Sequence, residues 1–152
     1  MARFIYRMQS ILDVKSKLEE TAKQEFSHKQ QLLVKEEEEL AKLIKSKEHY
    51  EEEAVRLRTG SLDFLKIQEN QNALNHLELE IKTQRERIRE RQKEVEEARE
   101  KLAELMKERK AQEILKEKAF EQFLQDEKNA ESKEVDELTS YTFGKKTKVS
   151  QE

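Results

Sequence analysis

The apolar residues of this chain fall into two long series, each spaced by alternating steps of three and four. The first runs Phe4, Met8, Ile11, Leu18, Ala22, Phe26, Leu33, Leu40, Leu43, Tyr50, Ala54, Leu57, with Lys15, Lys29, Glu36 and Lys47 as polar members of the same row. The second runs Leu74, Leu77, Ile81, Ile88, Val95, Ala98, Leu102, Leu105, with Gln84 and Arg91 as polar members. This is the heptad seam of a coiled coil, in which one narrow stripe of each helix meets a partner stripe. Two irregularities are expected. Leu18, Ala22 and Phe26 take two steps of four in succession, a stutter that unwinds the supercoil locally. Past Leu105 the series Ala111, Leu115, Ala119, Phe123 steps by four, with Ile114, Phe120 and Leu124 alongside, which predicts a wider apolar face.

Between the series stands Arg58-Thr59-Gly60-Ser61-Leu62-Asp63. Gly60 can take φ > 0 and end a helix, and Ser61 can cap the next, with Asp63 in its first turn. The spacing therefore predicts an all-α fold: two long helices in an antiparallel coiled-coil hairpin, forming a single domain over residues 1–152. Helix one covers about 4–57, the turn about 58–62, helix two about 62–138, and a flexible tail about 139–152. Folding back at Gly60 brings Phe4 near Ala119 and leaves the end of helix two overhanging, with Phe120, Phe123, Leu124, Val135 and Leu138. The alternative is one continuous helix through Gly60 that self-associates as a structural spacer, since a single Gly costs only ~1 kcal/mol within a helix.

Composition sharpens this picture. Charged residues make up 43 % and hydrophobic residues 34 % of 152 residues. That is too few apolar side chains for a three-dimensional core, but enough for a seam needing roughly two residues in seven. The absence of Pro and the abundance of Glu, Lys, Leu and Ala favour helix over disorder. The 31 basic and 34 acidic side chains nearly cancel, so no strong field draws nucleic acid. No Cys is present. The start MARFIYRMQSILDV does not read as a signal peptide, and no apolar run is long enough to span a membrane. A cytoplasmic protein without direct membrane insertion is expected.

Candidate chemistry is sparse. His28, His49 and His76 are scattered, and no metal-binding, phosphate-binding or nucleophile motif accompanies them. Glu36–Glu39 and Glu51–Glu53 splay around a helix and read as solvated faces. The run from Arg85 to Arg91 interleaves Glu86 and Glu90 and reads as ion pairing rather than a nucleic-acid patch. No catalytic, cofactor-binding or metal site is expected, and no cofactor. Exposed apolar positions on helices remain, which are the material of protein docking.

Three segments carry a resemblance. They are Phe4-x-Tyr6-Arg7-Met8-Gln9-Ser10-Ile11-Leu12-Asp13-Val14 followed by Lys17-Leu18-Glu19-Glu20; Gln71-Asn72-Ala73-Leu74-x-x-Leu77-x-x-x-Ile81; and Lys107-Glu108-Arg109-Lys110-Ala111 leading into Leu115-Lys116-Glu117-Lys118. Together they resemble the FliJ family of flagellar export proteins over nearly the whole chain. The resemblance implies a non-enzymatic stalk and adaptor of the flagellar type III export apparatus, held peripherally at the cytoplasmic membrane through that apparatus. It implies binding to the hexameric export ATPase, to the export-gate membrane protein and to substrate chaperones. The ATPase-docking candidates are Phe4, Met8, Ile11, Leu12, Phe120, Phe123 and Leu124. The gate-docking candidates are Leu43, Tyr50 and Leu77, which are also seam positions and so can be exposed only along an open edge. Ala73 departs from the family pattern, which has an aromatic there.

Overall fold

The computed structural model describes residues 2–150, and side chains of residues 2–145. The chain forms two helices, α1 (Gln9–Leu57, 49 residues) and α2 (Phe64–Ser150, 87 residues). They pack as a hairpin whose second helix is the longer. The continuous-helix alternative is thereby excluded, because the chain reverses at Gly60 with φ = 86°.

The turn is built by local hydrogen bonds. Arg58 N donates to Val55 O and Thr59 N to Arg56 O, tightening the last turn of α1. The Thr59 hydroxyl also donates to Arg56 O at 2.9 Å. The cap of α2 is Asp63 rather than Ser61. Its Oδ1 accepts from Leu65 N (3.2 Å) and Lys66 N (3.4 Å), and its carbonyl accepts the first helical bond, from Ile67 N. A carboxylate satisfies the orphan donors as well as a hydroxyl does and also complements the positive helix end. Hence α2 starts at Phe64, not at 62.

The other ends also differ from expectation. Helix α1 begins at Gln9, and residues 2–6 are not helical. Arg3 and Arg7 disfavour extending the positive end of a helix through them. Tyr6 O and Met8 O accept from Gln9 N and from Ile11 N and Leu12 N, closing the first turn. At the far end α2 runs past 138 to Ser150. No Pro stops it, and Gly144 alone costs only about 1 kcal/mol. Thr139 and Thr142 tie their hydroxyls to the carbonyls of Val135 and Leu138. Of the expected tail, Gln151 and Glu152 lie outside the described residues.

Two compact units divide the chain: Glu19–Leu105, and the segment up to Leu18 with the segment from Met106 onward. Within Glu19–Leu105 the helices are antiparallel. Contacts pair Glu25 with Lys101, Lys29 with Glu94, Glu36 with Gln84 and Arg91, and Lys47 with Glu78, so numbers rise on α1 as they fall on α2. Leu77, Ile81, Ile88, Val95 and Ala98 form the buried row on α2. Gln84, 3 % exposed, donates to the Glu36 backbone carbonyl (2.9 Å) and to its carboxylate. Asn70 donates to Tyr50 O at 3.0 Å. Arg91 bonds Glu94 (3.0 Å), which Lys29 also approaches (3.5 Å). The Arg91 hydrogen bond, aided by the Lys29 charge, holds the Glu94 carboxyl below its ordinary range.

The expected stutter does not occur. Inward positions of α1 run Leu12, Lys15, Glu19, Ala22, Phe26, Lys29, Leu33 and Glu36, in unbroken steps of three and four. Leu12 is 7 % exposed and Glu19 3 %, whereas Leu18 is 45 % exposed. Keeping the supercoil regular places Glu19 inside, where Lys23 stands 3.6 Å from its carboxylate. Past Leu105 the apolar side chains Ile114, Leu115, Phe120 and Leu124 do widen the face of α2, but they stay largely exposed and do not enlarge the inward row. That row continues as Arg109, Gln112, Lys116, Ala119 and Phe123, with Met106 and Glu108 half-buried beside it, while Ala111 and Leu115 are exposed. Long polar side chains occupy seam positions with their stems inward and their heads out.

Three outcomes follow. Asp63→Ala should cost about 1 kcal/mol and Gly60→Ala about 1–2 kcal/mol in urea denaturation, while Ser61→Ala leaves the midpoint unchanged. Leu12→Ala should cost about 2 kcal/mol or more and Leu18→Ala under about 1 kcal/mol; the reverse order would restore the stutter. Because the Glu94 pKa is depressed in the folded state, its contribution is present above the unfolded carboxylate range and lost as pH falls through the folded value. Acid titration followed by circular dichroism should therefore show a smaller loss of stability in Glu94→Gln.

Candidate docking surfaces

The unit built from the N-terminal segment and the C-terminal part of α2 gathers aromatic side chains. The ring of Phe4 meets Phe120 edge-on at 5.1 Å (68°) and Phe123 at 5.4 Å (50°). Phe120 and Phe123 lie one helical turn apart at 6.5 Å. Each such pair contributes about 0.5–1.5 kcal/mol beyond area burial. This is what holds residues 2–6 against α2 without helical hydrogen bonds. Tyr6 adds an O–H donated to Gln112 Oε1 (3.1 Å), and Lys15 closes the unit on Glu108 at 2.9 Å.

Around this trio lies a groove whose walls include Ile5, Met8, Leu115, Ala119 and Phe123. Ile5 is 79 % exposed, and Met8, Ile11, Leu115, Phe120 and Leu124 all keep a large share of their surface in solvent. Of the ATPase-docking candidates, Phe4, Phe120 and Phe123 are thus brought into contact, and Met8, Ile11 and Leu124 are exposed in the same unit. Leu12 is not available, because it belongs to the core of the hairpin. Ile5 and Leu115 line the groove without being among the docking candidates; the sequence reading placed Leu115 on the apolar face of the helix. A strictly regular register would have flagged Leu115, since it then falls outside the seam.

The gate-docking candidates do not form an exposed patch. Leu77 is buried, and Leu43 and Tyr50 are half-buried in the seam. The Tyr50 carbonyl is taken by Asn70, and its ring stands 6.0 Å from that of His49. Ala73 is half-buried as well. The large exposed apolar residues of this unit lie elsewhere: Val34, Leu79, Val55 and, at the turn, Leu62, Phe64 and Leu65.

Candidate chemistry can be placed too. Among the described residues no three carboxylate or imidazole groups converge as a metal site, the Glu36–Glu39 run included. His76 pairs locally with Glu80 at 2.7 Å. The basic run departs from expectation: Arg91 is paired, but among the described residues Arg85, Arg87 and Arg89 make no ion pair within 4.0 Å. No helix among the described residues is long and apolar enough to cross a membrane.

The comparisons agree with the resemblance drawn from the three sequence segments. No curated protein and no solved structure matches the chain. The family model of the flagellar FliJ protein matches residues 4–148, nearly the whole length. The chain belongs to the FliJ family, and so to the components of the flagellar export apparatus.

Proposed function

We propose that this protein is the cytoplasmic stalk and adaptor of its export apparatus. It docks on the hexameric export ATPase, promotes assembly and activity of that hexamer, and links it to the export gate and to substrate chaperones. It does so as a non-enzymatic component, held peripherally at the cytoplasmic membrane by its partners. The observation that supports ATPase docking most directly is the Phe4–Phe120–Phe123 cluster with Ile5, Met8, Ile11 and Leu124 exposed in the same unit. A helical hairpin that needed only itself would not leave these side chains in water. Aromatic and large aliphatic groups on a rigid element are what interface hot spots are made of.

Gate docking has less support. Leu43, Tyr50 and Leu77 are committed to the seam, and Ala73 offers little area. Contact with the gate through this region would use the edge of the seam rather than its buried row.

Docking is best tested with residues that the fold does not need. Ile5→Ser combined with Leu124→Ser should keep the helical circular dichroism of the parent. It should weaken binding to the cognate export ATPase by about tenfold or more. Stimulation of hexamer formation and ATP hydrolysis should fall in parallel. Full stimulation by this variant, or none by the parent at saturation, would refute the reading.

A further inference from the structure

The turn carries apolar side chains that nothing in the fold requires. Leu57 and Ile67 are the last half-buried residues before and after it. Between them the helices have no seam left to fill, and turns ordinarily take polar residues. Here Phe64 is 76 % and Leu65 70 % exposed, with Leu62 exposed beside them in the sequence and Val55 exposed near the end of α1. Leu62 precedes the cap, a place where an apolar residue often packs back on the helix. Phe64 and Leu65 have no such reason.

The charges of the turn are equally unexplained by stability. Arg56 in the last turn of α1 suits the negative helix end. Lys66, in the first turn of α2, does not; a carboxylate is favoured there, and α2 has none in its first turn. Arg56, Arg58 and Lys66 make no ion pair within 4.0 Å among the described residues. Asp63, the one acid from Arg56 to Lys66, is engaged by the backbone amides it caps. The tip of the turn therefore joins exposed apolar groups to three cations without an ion partner within 4.0 Å, while the acids Glu51–Glu53 and Glu69 stand farther back along the two helices.

We propose that the α1–α2 turn seats on the surface of an anionic lipid bilayer. Phe64 and Leu65 enter the boundary between headgroups and acyl chains, and Arg56, Arg58 and Lys66 face the phosphates. The occupant is chosen by this pairing. Apolar side chains bind by area, basic ones near a negative surface add attraction, and the two together make a reversible interfacial contact. A neutral apolar groove on another protein would leave three cations uncompensated. The family resemblance implies membrane association through partner proteins; the turn adds a direct, shallow contact that spans nothing.

The full chain is mixed with vesicles of phosphatidylcholine alone, and of phosphatidylcholine with an equal share of phosphatidylglycerol, then sedimented. The parent should sediment with the anionic vesicles, and much less with neutral ones or at high salt. Phe64→Ser with Leu65→Ser should reduce partitioning by about tenfold, as should Arg58→Glu with Lys66→Glu. Leu79→Ser, which removes another exposed apolar side chain of the same unit, should leave it unchanged. Circular dichroism checks that all variants stay helical. No sedimentation by the parent would overturn the proposal. So would binding that survives both turn variants, or binding lost only on Ile11→Glu, which would move the contact to the N-terminal segment. The vesicles contain no protein, so the result is independent of ATPase docking.

Discussion

Each helix of this protein offers a single inward row, and the row must be shared with its antiparallel neighbour. With 43 % charged residues the chain has little apolar surface to spare, so the seam fills largely with half-buried side chains and several polar ones. Everything else follows from keeping that row regular. Glu19 goes inside because the alternative is an unwound supercoil, and Leu18 goes outside for the same reason. Beyond Leu105 the row continues through Arg109, Gln112 and Lys116, so Leu115 is pushed to the flank. The same register leaves the apolar groups near the N-terminal segment outside the row, exposed on its flank.

The aromatic trio solves a different problem. Residues 2–6 make no helical ladder, yet they are held against α2. Ring contacts at 5.1 and 5.4 Å and one Tyr6 hydrogen bond replace the ladder. Free of the helical repeat, this segment sets Ile5 and Met8 along one groove with Leu115 and Phe123. The same feature that shortens α1 therefore builds the surface read here as a docking site.

Much of this was legible in the sequence. The three-four spacing identified both helices, Gly60 located the reversal, and Phe4 was expected close to where it lies. Local ends were less legible. Ser61 and Asp63 are both competent caps, and only backbone geometry decides between them. The start of α1 was hidden because Phe4 and Met8 fit a helical spacing while being used in another way. The register near Leu18 was hidden because Ile11 and Leu18 imitate a seam one step away from the true one. The docking candidates divide along the same line. Phe4, Phe120 and Phe123 came together because they are large and adjacent to the end of the seam, and Leu12 and Leu77 dropped out because they belong to it.

The charged pairs across the seam of Glu19–Leu105 have a mechanical meaning. Sliding α2 one heptad in one direction would set Lys29 against Arg87 and Glu25 against Glu94. Sliding it the other way would set Lys29 against Lys101 and Lys47 against Arg85. Either slip keeps the apolar rows aligned, since they repeat every seven residues, but replaces attraction by repulsion. The apolar rows do not tell these registers apart; the turn at Gly60, the buried hydrogen bonds of Gln84 and Asn70 and the charged pairs together do. A push or twist on one helix of this region is therefore passed to the other instead of being dissipated as shear.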